Sequence, residues 1–157
     1  MRIATSPRLT TLFFAVACAQ LGVASCISRR AGGPAIVPIP ANCSVTNPLL
    51  ASPSASYAPG PSTDGALFYN VYYPSYTTNS SAMAEQCLQQ CYGYGDHVEC
   101  KAAFWAENLV VPAGYYETPG GQLSTGCLFF NRTLVSSDFV LAPEGQAINA
   151  FAGNIAC

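Results

Sequence analysis

Apolar positions in this chain fall into several short runs and one stretch with helical spacing. The run 66–73, Ala-Leu-Phe-Tyr-Asn-Val-Tyr-Tyr, is aromatic and β-branched and is bounded by Gly65 and Pro74, which predicts a strand. Alternate residues of its second part, from Phe68 to Tyr73, must then face a core. Further strands are predicted at 101–106, 127–130 and 147–151, separated by loops containing Gly114, Gly120-Gly121 and Pro143-Glu144-Gly145. Between the first two strands a helix is predicted, with Ser81 as N-cap, Glu85 in its first turn where the helix dipole favours a carboxylate, and Gly93 as its stop. Cys87 and Cys91 are four apart, so both sulfurs lie on one helical face beside Met83, Ala84 and Leu88. The expected fold class is α+β: a single helix packed on a small antiparallel sheet and stapled to it by disulfides.

The N-terminal pattern is of another kind. Arg2 and Arg8 precede an apolar run over 9–18, and small residues follow at Ala17, Ala19, Ala24 and Ser25, which reads as a secretory signal peptide over 1–25. The run is shorter than the roughly 20 apolar residues a membrane crossing requires. Residues 26–30 read as a propeptide ending in the dibasic pair Arg29-Arg30. Val23-Ala24-Ser25-Cys26 also fits a bacterial lipoprotein box, in which Cys26 would be lipidated. Three N-glycosylation sequons, at Asn42, Asn79 and Asn131, favour the eukaryotic alternative, because this composition yields about one by chance. Residues 31–64 are rich in proline, serine and alanine. Their prolines oppose helix interiors and sheet ladders, which predicts an extended arm tied down by Cys43, with the folded domain at 65–157.

Charge narrows the partners. From Ala31 onward eight carboxylates face only two cations, Lys101 and Arg132. Such a surface cannot neutralise phosphates, so nucleic acid, heparin-like polymers and anionic membranes are not expected ligands. Six of the eight cysteines lie beyond Arg30, an even number that predicts complete pairing in an oxidising, extracellular compartment. Sequence alone leaves fifteen connectivities open. No hydrophobic tail follows Cys157, so no glycolipid anchor is expected.

Candidate chemistry is sparse. His97, in Tyr94-Gly95-Asp96-His97-Val98, could act as a base oriented by Asp96, but reads as a solvated loop histidine. Asp138 and Glu144 could be paired for glycoside hydrolysis, although eight scattered acids always contain some such pair. Zinc spacing, phosphate loops and nucleophile elbows are missing, so neither a cofactor nor catalysis is expected. Tyrosines are the more promising feature. Tyr76, Tyr94, Tyr115 and Tyr116 are the candidate ligand contacts, since a tyrosine ring offers apolar area with a polar tip. Trp105 is expected to anchor the core.

Cys87-Leu-Gln-Gln-Cys91, then Cys100-Lys-Ala-Ala-Phe104-Trp105, then Gly126-Cys127-Leu-Phe-Phe, and an apolar strand ending near Cys157 together resemble the PAN/apple domains. The resemblance covers about residues 65–157. It implies bridges Cys43–Cys157, Cys87–Cys127 and Cys91–Cys100, with a longer gap between Cys43 and Cys87 than the family usually shows. It also implies a non-catalytic module for protein–protein or protein–carbohydrate contacts. The arm, sequons and dibasic pair look like those of fungal secreted proteins. The expectation is therefore a secreted, extracellular glycoprotein that binds an extracellular protein or a glycan and does not insert stably into a membrane. The alternatives are a structural protein that coats or adheres to the cell wall and, less favoured, a small secreted hydrolase. A hydrophobin reading fails because its adjacent cysteine pairs are missing.

Overall fold

The computed structural model describes residues 33–49 and 55–157, which all belong to the second of the two units, 31–157, into which the chain divides. The signal peptide, the propeptide, Cys18, Cys26 and the dibasic pair lie outside the described residues.

Among the described residues, seven strands and one α-helix follow the chain. They are β1 (Ser44–Thr46), β2 (Tyr57–Pro59), β3 (Leu67–Tyr73), α1 (Ser80–Tyr92), β4 (Ala102–Val110), β5 (Leu123–Phe130), β6 (Phe139–Leu141) and β7 (Ile148–Ala156). Five strands form an antiparallel sheet in the order β1-β7-β4-β5-β3, and β2 pairs with β6 in a separate ribbon. The α+β class with one helix on an antiparallel sheet is as expected.

Period-two alternation divides the sheet into two apolar faces. Ala103 and Trp105 of β4, Cys127 and Phe129 of β5 and Ile155 of β7 face α1, where Met83, Ala84, Cys87, Leu88 and Cys91 are buried against them. Trp105 is fully buried, as expected of a core anchor, and its indole N–H donates to the Tyr73 hydroxyl at 3.2 Å. Ala102, Phe104, Ala106, Leu128, Phe130 and Ala152 face the other way, onto Leu134, Phe139, Tyr57 and Ala58. The sheet is thus covered on both sides, by the helix and by the β2–β6 ribbon with its loops.

Three bridges join these layers. Cys87–Cys127 ties α1 to β5, Cys91–Cys100 ties the last helical turn to the approach of β4, and Cys43–Cys157 joins the residue before β1 to the residue after β7. This is the pairing that the resemblance implied.

Several expectations need correction. The helix N-cap is Asn79 rather than Ser81: its Oδ1 accepts from the Ala82 amide at 3.1 Å, and its own amide donates to Thr77 Oγ1 at 3.2 Å. Asparagine caps as well as serine does, and the helix therefore starts earlier. Glu85 consequently lies beyond the first turn, where its carboxylate accepts from Gln89 Nε2 at 3.1 Å. Gly93 does end the helix, but in a right-handed conformation. Its bare Cα admits the arm, since a Cβ there would meet the Ala35 carbonyl oxygen and the Val37 side chain.

The long strands also extend beyond their expected ends. β4 continues through a bulge between Ala106 and Leu109, with Asn108 at φ 55°, and β7 carries Gly153 within it. The proline-rich stretch is extended and bridged at Cys43, yet it supplies β1 and β2 and buries Thr63. Pro59 fits because it closes a three-residue strand, after which the Gly60 amide donates to Asp138 O at 2.8 Å. The folded structure accordingly reaches back beyond Gly65, with the Val37 amide bonded to Gln89 O at 3.3 Å.

Candidate binding surface

The loop between β4 and β5 is built on glycines. The Val111 amide donates to Gln122 O at 2.9 Å and the Gly121 amide to Val111 O at 2.9 Å, which closes the loop at its base. Within it Tyr115–Glu117 form a 3-10 turn in which Tyr116 and Glu117 have φ of 45° and 62°. Left-handed conformation costs a non-glycine residue roughly 1–2 kcal/mol, so the surrounding bonds must hold it in place. The Gly114 amide donates to Thr118 O at 2.9 Å, and Thr118 Oγ1 donates to Tyr115 O at 2.8 Å. Gly120, at φ 74°, permits the return of the chain, because a Cβ there would strike the backbone of Ala113.

This turn aims two rings in different directions. Tyr115 folds back onto β3, the outer strand of the sheet: its hydroxyl accepts from the Tyr72 amide at 3.0 Å, and the two rings meet edge-on at 4.9 Å. Tyr116 packs edge-on against Tyr115 at 4.7 Å and is otherwise 83% exposed. Around the same edge, Tyr69 stacks on Phe129 at 4.8 Å and lies 5.6 Å from Tyr94, which also meets Phe68 edge-on at 5.1 Å. Burial pushes the Tyr69 phenol above its ordinary value, and the phenols of Tyr115, Tyr116 and Tyr94 push it the same way. Burial likewise raises Tyr72, with Tyr115 adding to the effect.

Three of the four candidate tyrosines, Tyr94, Tyr115 and Tyr116, therefore gather at the β3 edge with Tyr69 and Tyr72. Tyr76 lies apart, stacked on Tyr73 at 6.3 Å, with 45% of its surface exposed. Tyr69 and Tyr72 point to opposite faces of β3, so alternation assigns both to a core. What brings them into one surface is the fold-back of Tyr115 across the strand edge, which depends on the loop's left-handed residues.

Two of the three catalytic candidates, Asp138 and His97, bond to structural partners. Asp138 is 5% exposed and accepts from both terminal nitrogens of Arg132, at 2.7 and 2.8 Å, from Ser62 Oγ at 3.0 Å and from the Val135 amide at 2.9 Å. Arg132 and these bonds hold its carboxyl well below the usual carboxylate range, the opposite of what a general acid needs. Glu144 is exposed in its loop. His97 is exposed, stacks on Tyr92 at 4.6 Å and places Nδ1 2.6 Å from Tyr92 O, which fixes the proton on that nitrogen. Its ring thus bonds to a backbone carbonyl and not, through Nδ1, to Asp96.

The sequon residues Asn42, Asn79 and Asn131 are all exposed. Among the described residues there is no group of three or more His, Cys, Asp or Glu placed to hold a metal ion, and no helix long and apolar enough to cross a membrane. Compared with known proteins, the chain matches no family model, no curated protein and no solved structure.

Proposed function

We propose that this chain is a secreted, non-catalytic binding module, similar to PAN/apple domains, that engages an extracellular glycan or protein through the tyrosine surface at the β3 edge. The observation that carries the reading is Tyr116, a ring 83% exposed on a turn whose strained backbone is held by internal hydrogen bonds. An aromatic side chain presented on a fixed frame loses little conformational freedom on contact, which suits both the face of a pyranose and a protein hot spot. The engagement of Asp138 by Arg132, and the bonding of His97 to backbone, favour binding over hydrolysis.

Three disulfides in a chain of this size suit an oxidising, extracellular setting. The exposure of the three sequon asparagines suits N-glycosylation. The helix over an antiparallel sheet and the bridge order support the likeness to PAN/apple domains.

The test is binding of the secreted protein to an array of neutral cell-wall glycans and, in parallel, to extracellular proteins by cross-linking capture. Tyr116→Ala should weaken whichever interaction is found by about tenfold or more, as an anchor ring does. The melting temperature should stay unchanged because the ring is so exposed. An interaction that survives Tyr116→Ala at full strength would overturn the assignment of this surface.

A further inference from the structure

The sheet face away from α1 is not filled throughout. Phe139 and Leu134 close one part of it, but between β2, the turn before β3 and the loop entering β7 there remains an open cleft of about 230 Å³. Its apolar lining includes Leu67, Leu109, Leu128 and Phe130, while Asp64, Gln146 and Tyr72 supply polar groups beside Thr63, whose hydroxyl donates to Gly60 O at 2.8 Å. A dry cavity of about 150 Å³ accepts benzene, whereas drug-sized ligands take upwards of about 300 Å³. The cleft therefore suits one substituted ring or a short aliphatic chain.

Charge selects among such molecules. No lysine or arginine lines the cleft, and Asp64, which is exposed at its rim, is the one charged residue of the lining. Arg132 reaches the neighbouring Ser62 carbonyl at 3.2 Å, but its charge is matched by Asp138 at 2.7 Å. Tyr72, also in the lining, adds an aromatic ring, a group that attracts cations. An anionic ligand would find no cation in this lining and would meet the Asp64 charge. We propose that the cleft binds a small apolar molecule, a single ring or short chain, that carries a protonated amine. This site shares Tyr72 with the tyrosine surface, but Tyr116 does not line it and the proposal does not depend on that residue.

The experiment follows the leucine methyl resonances of the mature, disulfide-bonded chain by NMR during titration with benzylamine, benzyl alcohol and benzoate. Benzylamine should shift the methyls of Leu109 and Leu128, benzyl alcohol should bind about fivefold more weakly, and benzoate should leave them unmoved. Asp64→Asn should reduce benzylamine to the level of benzyl alcohol. Ala58→Trp, which fills the wall, should abolish the shifts from benzylamine and benzyl alcohol while methyl dispersion reports an intact fold. No response of these methyls to tens of millimolar benzylamine would overturn the site. Equal responses to benzoate, or an Asp64→Asn variant that binds benzylamine unchanged, would overturn the chemistry assigned to it.

Discussion

Asp138 illustrates how one residue can look chemical in sequence and prove structural in place. Four hydrogen bonds converge on its carboxylate from Arg132, Ser62 and Val135, and its carbonyl takes the Gly60 amide, so it joins the arm to the β5–β6 connection. Asp138→Asn at neutral pH should cost about 1.5–3 kcal/mol, the usual contribution of hydrogen bonds to a charged group. The pH dependence follows from the sign of the shift. The folded carboxyl is depressed, with the Arg132 hydrogen bond as the largest cause. Its contribution is therefore complete above the unfolded value near 3.9 and is lost as pH falls below it toward the folded value. Guanidinium unfolding of wild type and Asp138→Asn should differ most at pH 6–7, and the gap should shrink steadily between about pH 4 and about pH 2 without closing. A gap of constant size down to that pH would show that the carboxylate's charge contributes nothing.

At the scale of elements, the β3 edge carries the next prediction. An outer strand presents unpaired backbone groups that natural sheets cover or blunt, and here the Tyr115 hydroxyl accepts from the Tyr72 amide. Tyr115→Phe keeps the edge-on ring contact but removes the acceptor. It should destabilise by about 0.5–1.5 kcal/mol and speed hydrogen exchange at the Tyr72 amide, while amides of β4 remain protected. Unaltered exchange at Tyr72 would remove Tyr115 from this role. The sequence made β3 and α1 legible because their signals are local: an aromatic run between Gly65 and Pro74, and two cysteines four apart beside Met83 and Leu88. The ends were harder to read, as Asn79 and Ser81 are both competent caps. β1, β2 and β6 span three residues each, too few for any period to show, and Tyr57 meets Leu141 across most of the domain. The tyrosine surface was legible in composition, through Tyr94, Tyr115 and Tyr116. Its assembly was not, because it needs positive φ at Tyr116 and Glu117, residue types that give no such warning.

For the whole molecule, the question is which bridge matters most, and two effects give different answers. Restriction of the unfolded chain grows with loop length, so sequence separations of 114, 40 and 9 residues rank Cys43–Cys157 above Cys87–Cys127 above Cys91–Cys100. On that ground alone the contributions are about 5, 4 and 2.5 kcal/mol. Native burial argues otherwise. Cys87 and Cys127 are 1% and 0% exposed between α1 and the sheet, so replacing both by serine buries two hydroxyls at roughly 1–3 kcal/mol each where they lack partners. Cys43 precedes a three-residue strand that is exposed throughout, where serine is well tolerated. Adding the native term places Cys87–Cys127 first. With a total stability of about 5–15 kcal/mol, the double variant Cys87→Ser/Cys127→Ser should accumulate poorly as a folded protein. Cys43→Ser/Cys157→Ser should fold with a clearly lowered melting temperature, and Cys91→Ser/Cys100→Ser, whose sites are likewise buried at 0% and 4% exposure, should fall between the other two despite its short loop. Thermal unfolding and yield of the three double variants decide the matter. If Cys43→Ser/Cys157→Ser is the most damaged, loop closure in the unfolded chain outweighs the packing of α1 on the sheet, and the helix is held by its apolar face rather than by its staple.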